Sequence, residues 1–128
     1  MPFINIYTLE GKSENDLAIL GDSIHQALME TWAIPQDDRF QMIHEMKPAH
    51  FNINKKMFGV NRSDDVILLH ITSSPRSTTM KLDFYARLPQ LLQENLGVRP
   101  EDVFISIISN NKEDWSFGNG RAQLLDES

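Results

Sequence analysis

The chain contains no cysteine at all, which excludes disulfides and thiolate metal sites. It is also short of positive charge. Twelve Lys and Arg stand against eighteen Asp and Glu, giving a net charge of −6. A surface of that sign repels phosphate backbones and anionic membranes, so neither nucleic acid nor membrane is an expected partner. Lys55 and Lys56 form the one adjacent basic pair. No apolar run approaches the ~20 residues of a membrane helix. The opening residues lack a basic segment followed by an apolar one, so no signal peptide is expected and a cytoplasmic location is. The four histidines, His25, His44, His50 and His70, have neither metal-binding spacing nor paired carboxylates, and His70 reads as a satisfied core histidine in a strand. There is no Walker loop, no G-x-G-x-x-G and no G-x-S-x-G. No metal and no cofactor are expected.

What remains is a chain of 128 residues, 41% hydrophobic, the size of one domain with a real core. It repeats itself. "FINIYTL", Phe3 to Leu9, reads as a strand. Ser13 then offers an N-cap with Asp16 three residues on, and Leu17, Leu20, Ile24, Leu28 and Thr31 follow at helical spacing, closed by Pro35. "RFQMIHEM" is a strand with a more apolar face of Phe40, Met42, His44 and Met46. The second half repeats the order. There is a strand around Val66 to Thr72, a helix capped by Ser77 and carrying Met80, Phe84, Leu88 and Leu91, Gly97 at its C-terminal end, and a strand in "DVFISIIS". Ser13 and Ser77, Asp38 and Asp102, and Phe40 and Phe104 each stand 64 positions apart.

The pattern predicts an α+β domain over 1–128. Two β-α-β units, about 2–46 and 65–109, form a four-stranded mixed sheet with both helices on one face. The linker 47–64 is expected to hold a short hairpin or excursion toward a neighbour, and 110–128 is a turn-rich tail. Right-handed crossovers leave the other sheet face bare. An apolar face of that size exceeds what soluble monomers expose, so an oligomer is expected to bury it.

Four features carry candidate chemistry. Pro2 opens the first strand, where proline is also structurally at home because it has no N–H to donate. If Met1 is removed, Pro2 presents a secondary amine, and α-amino groups titrate around 8. Asp38, in "PQDDR", precedes the second strand and equally suits a turn. Arg76, in "SSPRS", follows the third strand and equally suits a solvated charge. Trp115 and Phe117, in "DWSFGNGR", suit either a pocket wall or packing under a Gly-Asn-Gly hairpin.

Taken together, Met-Pro-strand, two β-α-β units and an arginine after the third strand resemble the tautomerase superfamily. "PQDDRFQ", "LLHITSSPRS" and "DWSFGNGRAQ" resemble its malonate semialdehyde decarboxylase branch across residues 2–125. The resemblance implies a homotrimer with pockets near subunit boundaries and a cofactor-independent enzyme acting on small oxo-carboxylates. It implies Pro2, Asp38 and Arg76 as catalytic residues, and Arg76, Ser74, Trp115 and Phe117 as substrate-binding ones. The branch's Arg-Pro-Arg reads Ser74-Pro75-Arg76 here, so one carboxylate-binding cation is missing. Enolisation, or hydration or dehalogenation of short unsaturated or halogenated acids, therefore stands beside decarboxylation. A non-enzymatic trimeric scaffold is the remaining alternative.

Overall fold

In the computed structural model, which describes residues 1–126, the chain forms one four-stranded sheet ordered β2-β1-β3-β4. The strands are β1 Phe3–Leu9, β2 Phe40–Met46, β3 Ile67–Ser73 and β4 Val103–Ser109, and the long helices are α1 Glu14–Trp32 and α2 Thr78–Leu96. β1 pairs with β2 in parallel, β3 with β4 in parallel, and β1 with β3 antiparallel. The mixed sheet is thus two crossover units joined back to back at their first strands.

Local chemistry explains the helix limits. The Ser13 hydroxyl accepts from the Asp16 amide, and the Ser77 hydroxyl from the Met80 amide, each at 3.1 Å. Each cap satisfies an amide that the first turn leaves without a partner. Both helices end in a left-handed residue, Ala33 in the first unit and Gly97 in the second. Glycine takes that conformation without steric cost; alanine does not.

The duplication is exact in offset along the helices. Buried Leu20, Ile24, Ala27 and Leu28 correspond to buried Phe84, Leu88, Leu91 and Leu92, each pair 64 positions apart. The first strands differ. Ile4 pairs with Gln41 and Leu69 with Ile105; matching Gln41 to Ile105 makes Ile4 the counterpart of Leu69, an offset of 65. Counted from these counterparts, the second unit reaches its helix cap one residue sooner. A shift of 64 would have turned the core face of β3 toward the bare side.

Ile4, Ile6, Leu69 and Ile71 pack against Ile24, Leu28, Phe84, Leu88 and Leu92 to form the core. Each large apolar side chain buried this way contributes roughly 1.5–3 kcal/mol. The opposite face carries no helix. Phe40 and Ile108 are nearly half exposed there, at 47% and 48%, beside Phe3, Met42 and Phe104. The apolar face of β2 expected from its alternation is this bare one, while Gln41, Ile43 and Glu45 face the helix side.

Several expectations change. β3 lies one residue later than expected, at Ile67–Ser73. The linker 47–64 forms no hairpin: it makes two short 3-10 turns, Pro48–His50 and Met57–Gly59. Buried Asp102 holds its end, accepting from the Ser63 amide and hydroxyl and from Arg99. The tail adds a short helix, α3 Gln123–Asp126; its last two residues, 127–128, lie outside the described residues. His70 is exposed on the bare face rather than buried, because its neighbours in register are Asn5 and Ser106. Among the described residues no helix is long and apolar enough to cross a membrane.

Candidate active site

The strand directions gather one end of the sheet. Phe3 pairs with Phe40 in parallel and with Thr72 antiparallel. The start of β1, the start of β2 and the ends of β3 and β4 therefore meet. Pro2, Asp38, Ser74, Arg76 and the loop after Ser109 all issue from this end.

Asp38 is set there by a turn. Its amide donates to the Pro35 carbonyl at 3.1 Å, and buried His25 holds the same turn through Nε2 against the Gln36 carbonyl at 2.7 Å. The carboxylate is 10% exposed, and its Oδ2 lies 3.8 Å from the amino-terminal nitrogen. That distance is an ion pair rather than a hydrogen bond. Its Oδ1 is buried with no partner.

Arg76 precedes the Ser77 cap of α2. Its guanidinium lies over the indole of Trp32, 5.3 Å from Cζ to the ring centroid, and its Nε is buried with no partner. Asp38 and Arg76 thus each bring one unsatisfied, water-shielded polar atom to the neighbourhood of the amine. Such atoms are costly unless something completes them.

The amine belongs to Met1 in this structure, so Pro2 nitrogen is a peptide nitrogen here, and a freed Pro2 would present its own amine about one residue further along the chain. Pro2 itself is buried. The amine titrates below the ordinary α-amino value: burial lowers it most, the Asp38 carboxylate opposes that, and Arg76 adds to it.

Trp115 and Phe117 stack on each other, 5.6 Å between centroids. Trp115 Nε1 donates to Asn110 Oδ1 at 2.7 Å, and the Asn110 amide donates to the Ser73 carbonyl at 2.9 Å. The aromatic loop is thereby tied beside Ser74, at the same end of the sheet. Among the described residues, no hydrogen bond, ion pair or ring contact joins either ring to the amine, Asp38 or Arg76. The Gly-Asn-Gly segment is a turn with Asn119 and Gly120 at positive φ, but no strands flank it. Gln123 closes it instead, accepting from the Phe117 amide and donating to the Gly118 carbonyl. Ser74 is half-buried, and its carbonyl accepts from the Ser73 hydroxyl.

Models of tautomerase enzymes match residues 38–118 and 2–61. The probable tautomerase YusQ of Bacillus subtilis is 40% identical over 98% of this chain and 100% of its own. The chain belongs to the tautomerase family. Among solved structures, this tautomerase is similar to malonate semialdehyde decarboxylase, at 31% identity and a TM-score of 0.91 over 97% of this chain and 96% of that one. It is also similar to the FG41 malonate semialdehyde decarboxylase inhibited by 3-bromopropiolate, at 33% identity and a TM-score of 0.89 over 97% and 95%. Family and fold, expected from the motifs, are both established for this tautomerase.

One participant was not singled out by the sequence. Trp32, 3% exposed, lies under Arg76. It follows Leu28 by four residues on the apolar face of α1, so spacing alone gives it the look of an ordinary core residue.

Proposed function

We propose that this tautomerase uses the amino-terminal imino nitrogen of Pro2, freed by removal of Met1, to tautomerise or decarboxylate small oxo-carboxylates such as phenylpyruvate or malonate semialdehyde, without a cofactor. The observation that carries the reading is a half-buried amino terminus 3.8 Å from the Asp38 carboxylate and within reach of the Arg76 charge, two side chains that each keep one buried polar atom without a partner. The chemistry follows from burial. The burial and the Arg76 charge that lower the amine when Met1 carries it favour the neutral form of a freed Pro2 nitrogen too, and a neutral nitrogen removes a proton alpha to a ketone and returns it to the enol. In its protonated form the same nitrogen donates to the carbonyl oxygen of a 3-oxo acid. The bond to the carboxylate then breaks, its electron pair moves toward that carbonyl, and carbon dioxide leaves. Arg76 pairs with the substrate carboxylate and opposes a second positive charge on the amine. Asp38 orients the amine. Trp115 and Phe117 wall the pocket, and Ser74 lines it.

A second reading has one observation in its favour. Asp38 Oδ1, buried without a partner, is an acceptor suited to hold a water. Hydration of a short unsaturated acid, with Asp38 activating that water, uses the same amine and the same arginine.

The bare face of β1–β4, with Phe3, Phe40, Met42, Phe104 and Ile108 exposed, is covered in a homotrimer, which also closes the pocket from outside. Sedimentation of wild type against Met42→Glu tests this: a trimer that falls to a monomer is expected, and a wild-type monomer refutes it.

The function is tested by assaying phenylpyruvate enolisation and malonate semialdehyde turnover with wild type and Pro2→Ala. Loss of at least a hundredfold in the variant is expected. Equal rates remove Pro2 from the mechanism, and no turnover by wild type favours the scaffold.

A further inference from the structure

We propose that Trp32 is the positioning residue for Arg76, its indole face fixing the guanidinium so that Nε–H is offered to an acceptor beside the amino terminus. The proposal rests on the reading of Arg76 as the carboxylate-binding group.

Arg76 is a long, flexible cation, and among the described residues no carboxylate forms an ion pair with it. Left to itself such a side chain extends into water, where its charge is best solvated. Its Nε is nevertheless buried without a partner, so something else holds it. What it lies against is Trp32, at 5.3 Å, within the range in which a cation is drawn to a ring face. Arginine also stacks flat on aromatic faces, which sets the plane of its donors.

The platform is itself immobilised. Trp32 closes α1, and its Nε1–H donates to the Met80 carbonyl at 3.0 Å. Met80 lies in the first turn of α2, whose cap Ser77 follows Arg76 directly. The indole is therefore tied to the segment that carries its cation. The ring also packs at 49° on Phe84, 5.4 Å between centroids, and Phe84 is fully buried. A hydrogen bond and the core thus hold the ring against which Arg76 lies.

The test reads the amine, which needs no substrate. Amino-terminal titration by NMR is compared in wild type, Trp32→Leu, Trp32→Phe, Arg76→Ala and the Trp32→Leu/Arg76→Ala double variant. The Arg76 charge lowers the amine pKa, so Arg76→Ala moves the midpoint upward. Trp32→Leu is expected to move it in the same direction, the double variant no further than Arg76→Ala alone, and Trp32→Phe, which keeps a ring, to stay near wild type. In kinetics Trp32→Leu raises KM for the oxo-carboxylate about tenfold, with kcat changed less. An unchanged midpoint in folded Trp32→Leu, or shifts that add in the double variant, overturn the proposal. Should Trp32→Leu not fold, the wild-type Arg76 Nε–H resonance decides. Ring-current displacement with slow solvent exchange supports the stack, and a random-coil, fast-exchanging resonance overturns it. If the titration couples Trp32 to Arg76 while Arg76→Ala keeps a wild-type KM, the carboxylate-binding reading fails and the positioning role stands.

Discussion

Removing Arg76 isolates the part of the account that concerns substrate recognition. In Arg76→Ala the side chain that lies over Trp32 disappears, and with it the buried N–H that has no protein partner. Because no protein group depends on that N–H, the variant leaves no new orphan inside the fold and should remain folded. Its cost falls on the bound substrate. A hydrogen bond to a charged group contributes about 1.5–3 kcal/mol, and removing one partner of a desolvated charge pair costs about 2–5 kcal/mol. A fork presented to two carboxylate oxygens thus loses about 2–4 kcal/mol of transition-state binding, roughly 30- to 1,000-fold in kcat/KM. Arg76→Lys keeps the charge but not the plane, and should recover only part of this. The assay is steady-state turnover of phenylpyruvate and malonate semialdehyde at constant ionic strength, with thermal unfolding as the control for folding. A folded Arg76→Ala with wild-type kcat/KM on both acids refutes the reasoning. So does an equal loss on a neutral ketone lacking the carboxylate.

Further expectations follow from other positions. Asp38→Asn removes the carboxylate 3.8 Å from the amine; since that charge favours the cation, the amine midpoint should fall further below the ordinary value, and the acidic limb of the pH–rate profile should move to lower pH. Ala33→Gly relieves the left-handed cap at φ 54 and, against the greater freedom of glycine in the unfolded chain, should stabilise by about 0.5–1 kcal/mol in urea unfolding. Phe84→Ala empties a fully buried ring site and should cost about 3–5 kcal/mol by the same measurement. Burial raises the Asp102 pKa, but the Ser63 amide and hydroxyl and Arg99 outweigh it, so the net shift is downward. A depressed carboxylate stabilises the fold above its unfolded pKa and loses that contribution as pH falls through the folded one. Wild type should therefore lose stability in acid more steeply than Asp102→Asn, read as unfolding midpoint against pH.

The elements legible in the sequence are those with a local signal. Ser13 and Ser77 marked both helix starts because a hydroxyl there competes for a free amide. Gly97 marked an end because its backbone is left-handed. Ala33 gave no such signal, since alanine has no preference for the left-handed backbone it takes there. The offset of 64 held where helical faces must match and failed by one residue in β1 and β3, where the facing residues of the strands are out of step with the caps by one position. The fate of the apolar face of β2 was not readable either. Phe40 and Met42 look like core residues by type, and only the sheet shows them on the side without helices. At the site, Asp38 and Arg76 were visible through motifs. Trp32 was not, because its part depends on a contact with a residue 44 positions away, which no local pattern encodes. Trp115 and Phe117 were marked by "DWSFG", but among the described residues no hydrogen bond, ion pair or ring contact joins them to the amine.

The central claim is that the reactive group is the imino nitrogen of Pro2. The most direct measurement is peptide mass spectrometry of the active protein, set beside turnover of phenylpyruvate and malonate semialdehyde by the same preparation. The account expects an amino-terminal peptide beginning at Pro2, with turnover in proportion to the fraction of chains so processed. Full activity from protein that still begins with Met1 would contradict it.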